Sequence, residues 1–126
     1  MKKKEMTKVL IADSSPFVCI MLTTALEKLG FEVVGRAKNG KEAIDKYMKL
    51  KPDIILIDAA LNDVEGIQVT RVITSENASI IILMVAESAD TPDTIVEAVK
   101  AGIAGYLRKP FSAEEIEARM SALKKR

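Results

Sequence analysis

Five short apolar runs constrain this chain more than any other feature. They are Val9-Leu10-Ile11-Ala12, Phe31 to Gly35 with its Val33-Val34 pair, Ile54-Ile55-Leu56-Ile57, Ile80 to Val85, and Gly105-Tyr106-Leu107. The longer runs do not alternate apolar with polar residues, which is the pattern of strands buried on both faces of a parallel sheet. A segment of helical period follows each run. The implied architecture is α/β, five βα units wound into a parallel sheet with helices on both faces. Right-handed crossovers leave few topologies, and the flavodoxin-like order 2-1-3-4-5 suits this length. In that order the strand sequence reverses between strands 1 and 3, so a crevice opens at their carboxyl ends.

The helical segments carry their own start and stop signals. Pro16 opens the first and Gly30 closes it, with Phe17, Met21 and Ala25 beside Val18, Leu22, Leu26 and Leu29 as its apolar positions. Asn39-Gly40-Lys41-Glu42 resembles a helix cap with an acid three residues on, and Pro52 breaks that helix. The third helix is the weak one, Ile67 to Ile73. Thr91-Pro92 starts the fourth, whose apolar stripe is read as Ile95, Val96 and Val99, ending at Gly102. Ser112-Ala113-Glu114-Glu115 is a capping box for the fifth, with Ile116, Met120 and Leu123 as its stripe. Met21, Met48, Met84 and Met120 read as core filler.

With 126 residues the chain is expected to form one domain, residues 1–126, with a core over about 8–123 and short basic tails. Nineteen basic residues nearly balance eighteen acidic ones, so this is not the basic footprint of a nucleic-acid binder. The absence of histidine removes His-ligated metals, a Ser-His-Asp triad and phosphohistidine on this chain. One cysteine, Cys19, excludes an internal disulfide and reads as a structural thiol. No apolar run approaches the length of a membrane span. Lys2-Lys3-Lys4 lacks the apolar stretch of a signal peptide after it, so a cytoplasmic location is expected.

The polar residues at the strand ends carry the functional signal. Asp13 follows the first strand, Asp58 closes the third, and Lys109-Pro110 follows the fifth. The proposed order brings all three to one rim. Two carboxylates and an ammonium around one crevice suit a divalent cation together with a phosphoryl group.

At these residues the chain resembles the receiver domain of two-component response regulators, of the kind found in chemotaxis regulators. The likeness runs from about Lys8 to Leu123. It is carried by VLIADSSPF, NGKEAI, KPDIILID, the Gly66 eight residues after Asp58, EAVKAGIAGYLRKPF and SAEEIEARM. The resemblance implies that Asp58 accepts a phosphoryl group and that Asp13 and the Ala60 carbonyl hold Mg²⁺. It implies that Lys109, in a cis bond to Pro110, contacts the phosphoryl oxygens and that Tyr106 is the aromatic switch. The implied partners are a sensor histidine kinase or phosphotransfer protein and a downstream effector, with no nucleic acid or membrane contacted by this domain. The implied output face is made by the fourth helix, fifth strand and fifth helix, presenting Lys100, Tyr106, Arg108, Glu115 and Arg119. Such a domain is a phosphoryl acceptor, not a turnover enzyme.

Two positions depart from that pattern. Ser14 stands where the family has a second acid, and a neutral hydroxyl is a poorer ligand for a hard cation, so weak Mg²⁺ binding is expected. At the end of the fourth strand the family carries Thr or Ser. Here that position falls on Val85, Ala86 or Glu87, none with a hydroxyl, or on Ser88 if the loop is shifted. Asp63 and Glu65 read as solvated acids at the N-terminus of the third helix. The competing function is a pseudo-receiver, a phosphorylation-independent interaction module. A nucleotide- or flavin-binding enzyme is disfavoured because Asp13-Ser14-Ser15-Pro16 has no glycine and opens with an acid. As a strand-end charge, Lys109 is expected to cost no more than about 0.5 kcal/mol when replaced by Ala.

Overall fold

The computed structural model describes residues 6–86 and 91–124. Its strands are β1 (Lys8–Ala12), β2 (Glu32–Ala37), β3 (Ile54–Asp58), β4 (Ile81–Ala86) and β5 (Gly105–Arg108). The helices are α1 (Pro16–Lys28), α2 (Gly40–Leu50), α3 (Gly66–Glu76), α4 (Pro92–Ala101) and α5 (Ala113–Lys124). All strand pairs are parallel and the sheet order is β2-β1-β3-β4-β5. The register pairs Ala12 with Ile57, Asp58 with Val85 and Ala86 with Arg108. The carboxyl ends of β1, β3, β4 and β5 therefore meet at one rim.

The helices begin and end for local reasons. The Ser15 hydroxyl accepts a hydrogen bond from Val18 N at 3.3 Å, and Pro16 occupies the first turn of α1. Asn39 caps α2 by accepting from Glu42 N at 2.8 Å, and Lys51, at φ 49°, turns the chain out of the helix before Pro52. Thr91 caps α4, and Gly102 ends it at φ 116°, a left-handed conformation that glycine adopts without a Cβ penalty.

Two apolar layers enclose the sheet. One joins Leu10, Ile55, Ile57, Ile82 and Met84 to α2, α3 and α4. The other joins Val9, Ile11, Leu56 and Leu83 to α1 and α5. Burying a Leu or Ile side chain contributes about 1.5–3 kcal/mol, so these strands dominate the stability.

Several sequence expectations are corrected. Phe31 is buried but precedes β2, which runs on to Ala37. Phe17 is 74% exposed and Ile20 58%, because α1 turns Cys19, Leu22 and Leu26 inward instead. On α4 the buried residues are Ala98 and Ala101, while Val96 and Val99 face solvent. The helix packs beside α3 with its small alanines turned inward, and the larger valines are left exposed. Met84 and Met120 are core residues, but Met48 is exposed and Met21 only half-buried. Ile81, at the start of β4, is also half-buried.

Candidate functional site

Each polar residue at the rim is held by the backbone that delivers it. Asp13 N donates to Ala37 O across the β1–β2 edge, and Lys109 N donates to Ala86 O across the β4–β5 edge. The Lys109–Pro110 peptide is cis. Asp13 and Asp58 are only 3% and 4% exposed. Between them stands Lys109, its Nζ 3.4 Å from Asp13 Oδ2 and 3.4 Å from Asp58 Oδ2. Two buried carboxylates thus share one ammonium.

Their remaining oxygens are treated differently. Asp58 Oδ1 accepts from Ala60 N at 3.0 Å, and Asp13 Oδ1 accepts from Ser15 N at 2.9 Å. Asp13 Oδ2 is buried and ion-paired to Lys109 Nζ at 3.4 Å, with no hydrogen bond of good geometry among the described residues. Burial pushes the Asp13 carboxyl above its ordinary 3.8; the Ser15 amide opposes the rise, the Asp58 charge adds to it, and Lys109 opposes it. A desolvated carboxylate oxygen held only by an ion pair, beside a second carboxylate, fits a hard divalent cation, whose preferred donors are such oxygens. Among the described residues no three His, Cys, Asp or Glu side chains converge into a metal cage. Any cation here would complete its shell with backbone oxygen and water.

Among the described residues no other acid replaces the one missing at Ser14, which is exposed at the rim. The Asp63 carboxylate is engaged elsewhere: it accepts from Gly40 N at 2.6 Å, Lys41 N at 3.0 Å and Val64 N at 2.7 Å. It therefore caps α2, not the helix that follows it in sequence, and the Gly40 and Lys41 amides hold its pKa below the usual range. Glu65 occupies the N-cap position of α3 without a side-chain hydrogen bond and lines an open groove of about 720 Å³ between α3 and α4. Nothing in the local sequence announces the Asp63 contact, because Gly40 N and Lys41 N lie more than twenty positions away.

The end of β4 is Ala86, 1% exposed and paired with Arg108. Of the residues considered for the switch hydroxyl, Val85 and Ala86 are aliphatic and buried; Glu87 and Ser88 lie outside the described residues. Tyr106 is half-buried against the layer that contains Ile82 and Met84, and its carbonyl accepts from Arg119 Nε at 3.1 Å. Glu115 is exposed and accepts from Ser112 N at 3.2 Å, as the capping box at Ser112 to Glu115 requires. Cys19 is buried, its Sγ 3.4 Å from Asp13 O; burial first, and then the Asp13 charge, raise its pKa.

A doubly wound parallel sheet with an acid–acid–lysine cluster at its switch point defines a class of α/β domains whose ligand crevice lies at the carboxyl ends of the strands. The family model for the response regulator receiver domain matches residues 9–121, and the chain belongs to that family, the receivers of two-component systems. It is 36% identical over 111 residues to the chemotaxis protein CheY of Thermotoga maritima, covering 86% of this chain and 90% of that one. It is 33% identical over 106 residues to a protein-glutamate methylesterase/protein-glutamine glutaminase of Archaeoglobus fulgidus, covering 84% of this chain but 30% of that longer protein. Among solved structures, the response regulator domain of Thermotoga maritima CheB superposes with a TM-score of 0.80 at 28% identity, over 96% of this chain and 93% of that one. The receiver domain of NarL from Mycobacterium tuberculosis gives 0.87 at 27% identity, over 98% and 100%. Among the described residues no helix is long and apolar enough to cross a membrane.

Proposed function

We propose that this chain is a single switch domain that takes a phosphoryl group onto Asp58 from a partner histidine kinase or phosphotransfer protein. The observation that carries this reading is the shared ammonium: Lys109 Nζ lies 3.4 Å from both buried carboxylates. An Asp58 carboxylate oxygen attacks the phosphorus of the donor, a P–N bond breaks, and the electron pair leaves with the donor imidazole. A carboxylate is a weak nucleophile, so the reaction depends on positioning and charge neutralisation. Asp13, Asp58 and the Ala60 carbonyl would hold Mg²⁺, which when bound neutralises charge on the transferring oxygens. Lys109 moves from balancing two carboxylates to meeting the phosphoryl oxygens. The domain acts as an acceptor and not as a turnover enzyme, and its output face is α4, β5 and α5, where Val96, Val99 and Lys100 are exposed.

A second reading is favoured by Ser14 and Ala86, which supply neither the second acid nor a hydroxyl at the end of β4. It makes the chain a pseudo-receiver whose partners bind whatever the state of Asp58. Intact-mass measurement after incubation with acetyl phosphate and Mg²⁺ separates the two. One added phosphoryl group, absent in Asp58→Asn, is the expected result. An unmodified chain whose partner binds the native form and Asp58→Asn equally establishes the pseudo-receiver.

A further inference from the structure

We propose that Asp63 is a positioning residue: seated on the N-terminus of α2, its carboxylate sets where the Ala60 carbonyl stands beside Asp13 and Asp58. The inference rests on the Mg²⁺ reading above. The segment from Ala59 to Glu65 leaves β3 and returns at α3. Its base is closed by Gly66 N donating to Ala59 O at 3.0 Å. A Cβ on Gly66 would stand 2.4 Å from Asp58 O, so the return passes hard against the acceptor's own backbone. The far end is tied by Asp63, whose two oxygens accept from Gly40 N and Lys41 N of another segment while Oδ1 also accepts from Val64 N. Val64 itself packs on Gly40, where a Cβ would come within 2.7 Å of Val64 Cβ.

Ala60 hangs between these two ties. Its short side chain is exposed and gives the backbone no packing of its own. On the near side its amide donates to Asp58 Oδ1 at 3.0 Å, and beyond it the course of the chain that carries its carbonyl is fixed by the Asp63 tie. The α2 helix does not need Asp63 as its only cap. Asn39 accepts from Glu42 N at 2.8 Å, and Glu42 accepts in return from Lys38 N at 3.3 Å. A helix that already has a reciprocal cap gains less from a third acceptor than the loop gains from two fixed donors. The neighbouring α3 start is left without a side-chain cap, although Asp63 lies three residues before it. The carboxylate is thus committed across the fold, where it holds the loop.

The test is a Mg²⁺ titration of the full chain followed by amide NMR, reading the shifts of Asp13, Asp58 and Ala60, with thermal unfolding measured in parallel. Asp63→Ala should weaken Mg²⁺ by about tenfold, the lower end of the range for groups that orient metal ligands. Asp63→Asn, which keeps one carbonyl acceptor, should fall between Asp63→Ala and the native chain. Asn39→Ala removes the helix's own cap and should lower stability without changing Mg²⁺ affinity. Equal Mg²⁺ affinity in Asp63→Ala and the native chain would overturn the positioning role, as would an Asn39→Ala loss as large as that of Asp63→Ala. If Asp63→Ala does not fold, Asp63→Asn against Asn39→Ala decides in the same way. If the native chain itself shows no saturable shifts at Asp13 and Asp58, the Mg²⁺ reading fails and this inference with it.

Discussion

Replacing Lys109 by Met retains most of the side chain's packing and deletes only its charge, which makes it a direct probe of the rim. The Lys109 side chain is 20% exposed and those of Asp13 and Asp58 are 2% and 4% exposed, so solvent screens the cluster only partly. At an effective dielectric of about 20, each 3.4 Å contact amounts to about 5 kcal/mol of gross attraction. The net loss is smaller, because Lys109 recovers solvation in the unfolded chain; breaking a buried pair in this way costs about 3–5 kcal/mol. Protonation sets a ceiling. Converting the Asp13 carboxyl, ordinary pKa 3.8, to its neutral form at pH 7 costs about 4.4 kcal/mol. At pH 5 the same conversion costs only about 1.6 kcal/mol. Without the ammonium, the folded Asp13 carboxyl binds its proton more tightly than the unfolded one, so the variant's stability falls as pH rises from that ordinary value. The expected deficit is therefore about 3 kcal/mol at pH 7, shrinking to about 1.5 kcal/mol or less at pH 5. Urea unfolding of both proteins at the two pH values measures it. A deficit below about 0.5 kcal/mol at both pH values would return Lys109 to the solvated strand-end charge suggested by sequence, and refute the shared-ammonium account.

Three further outcomes follow from particular contacts. Asp63, with its pKa lowered by the Gly40 and Lys41 amides, contributes stability that is present above 3.8 and lost as pH falls through its folded value. Asp63→Ala should therefore lower the melting temperature at neutral pH and flatten the acid limb of the stability curve, as read by circular dichroism; an unchanged acid limb would contradict the cap. Gly66→Ala drives a Cβ to 2.4 Å from Asp58 O and 2.9 Å from Ala59 Cα, both backbone atoms that cannot rotate away, and should cost about 3 kcal/mol or more in chemical denaturation. Phe17→Ser, at a side chain 74% exposed beside the rim, should shift stability by no more than about 0.5 kcal/mol. It should slow phosphotransfer from a kinase while leaving labelling by acetyl phosphate unchanged; equal slowing of both would place Phe17 in the fold of the site and not on a docking surface.

The parts of this molecule that were legible in the sequence are those set by short-range pattern. Unbroken runs such as Ile54 to Ile57, short and rich in β-branched isoleucine, read as doubly covered strands. The residue that follows such a run emerges at the rim, and that is why Asp13, Asp58 and Lys109 could be brought together before any coordinates. Caps made within four residues, at Asn39, Thr91 and Ser112, were readable for the same reason. The misreadings arise where a distant segment decides. Periodicity shows that Val96 and Val99 share a face with Ile95 but not that Ala98 and Ala101 are the residues the fold buries. The Asp63 carboxylate finds two of its donors, Gly40 N and Lys41 N, more than twenty residues away. The burial of Lys109 between two acids depends on three strand ends meeting, which no single segment encodes.

The account stands or falls on the chemistry at Asp58 and the deficit at Ser14. Phosphoryl uptake from acetyl phosphate should be followed by intact mass across a Mg²⁺ titration, on the native chain, Ser14→Asp and Asp58→Asn. The native chain should accept one phosphoryl group with half-maximal Mg²⁺ in the millimolar range or above, about 4 kcal/mol of binding or less. Ser14→Asp should move that midpoint to lower Mg²⁺, because an added carboxylate restores a unit of ligand charge, and Asp58→Asn should stay unmodified. A native chain fully modified at low Mg²⁺ with no gain from Ser14→Asp, or one that carries the group in Asp58→Asn, would contradict it.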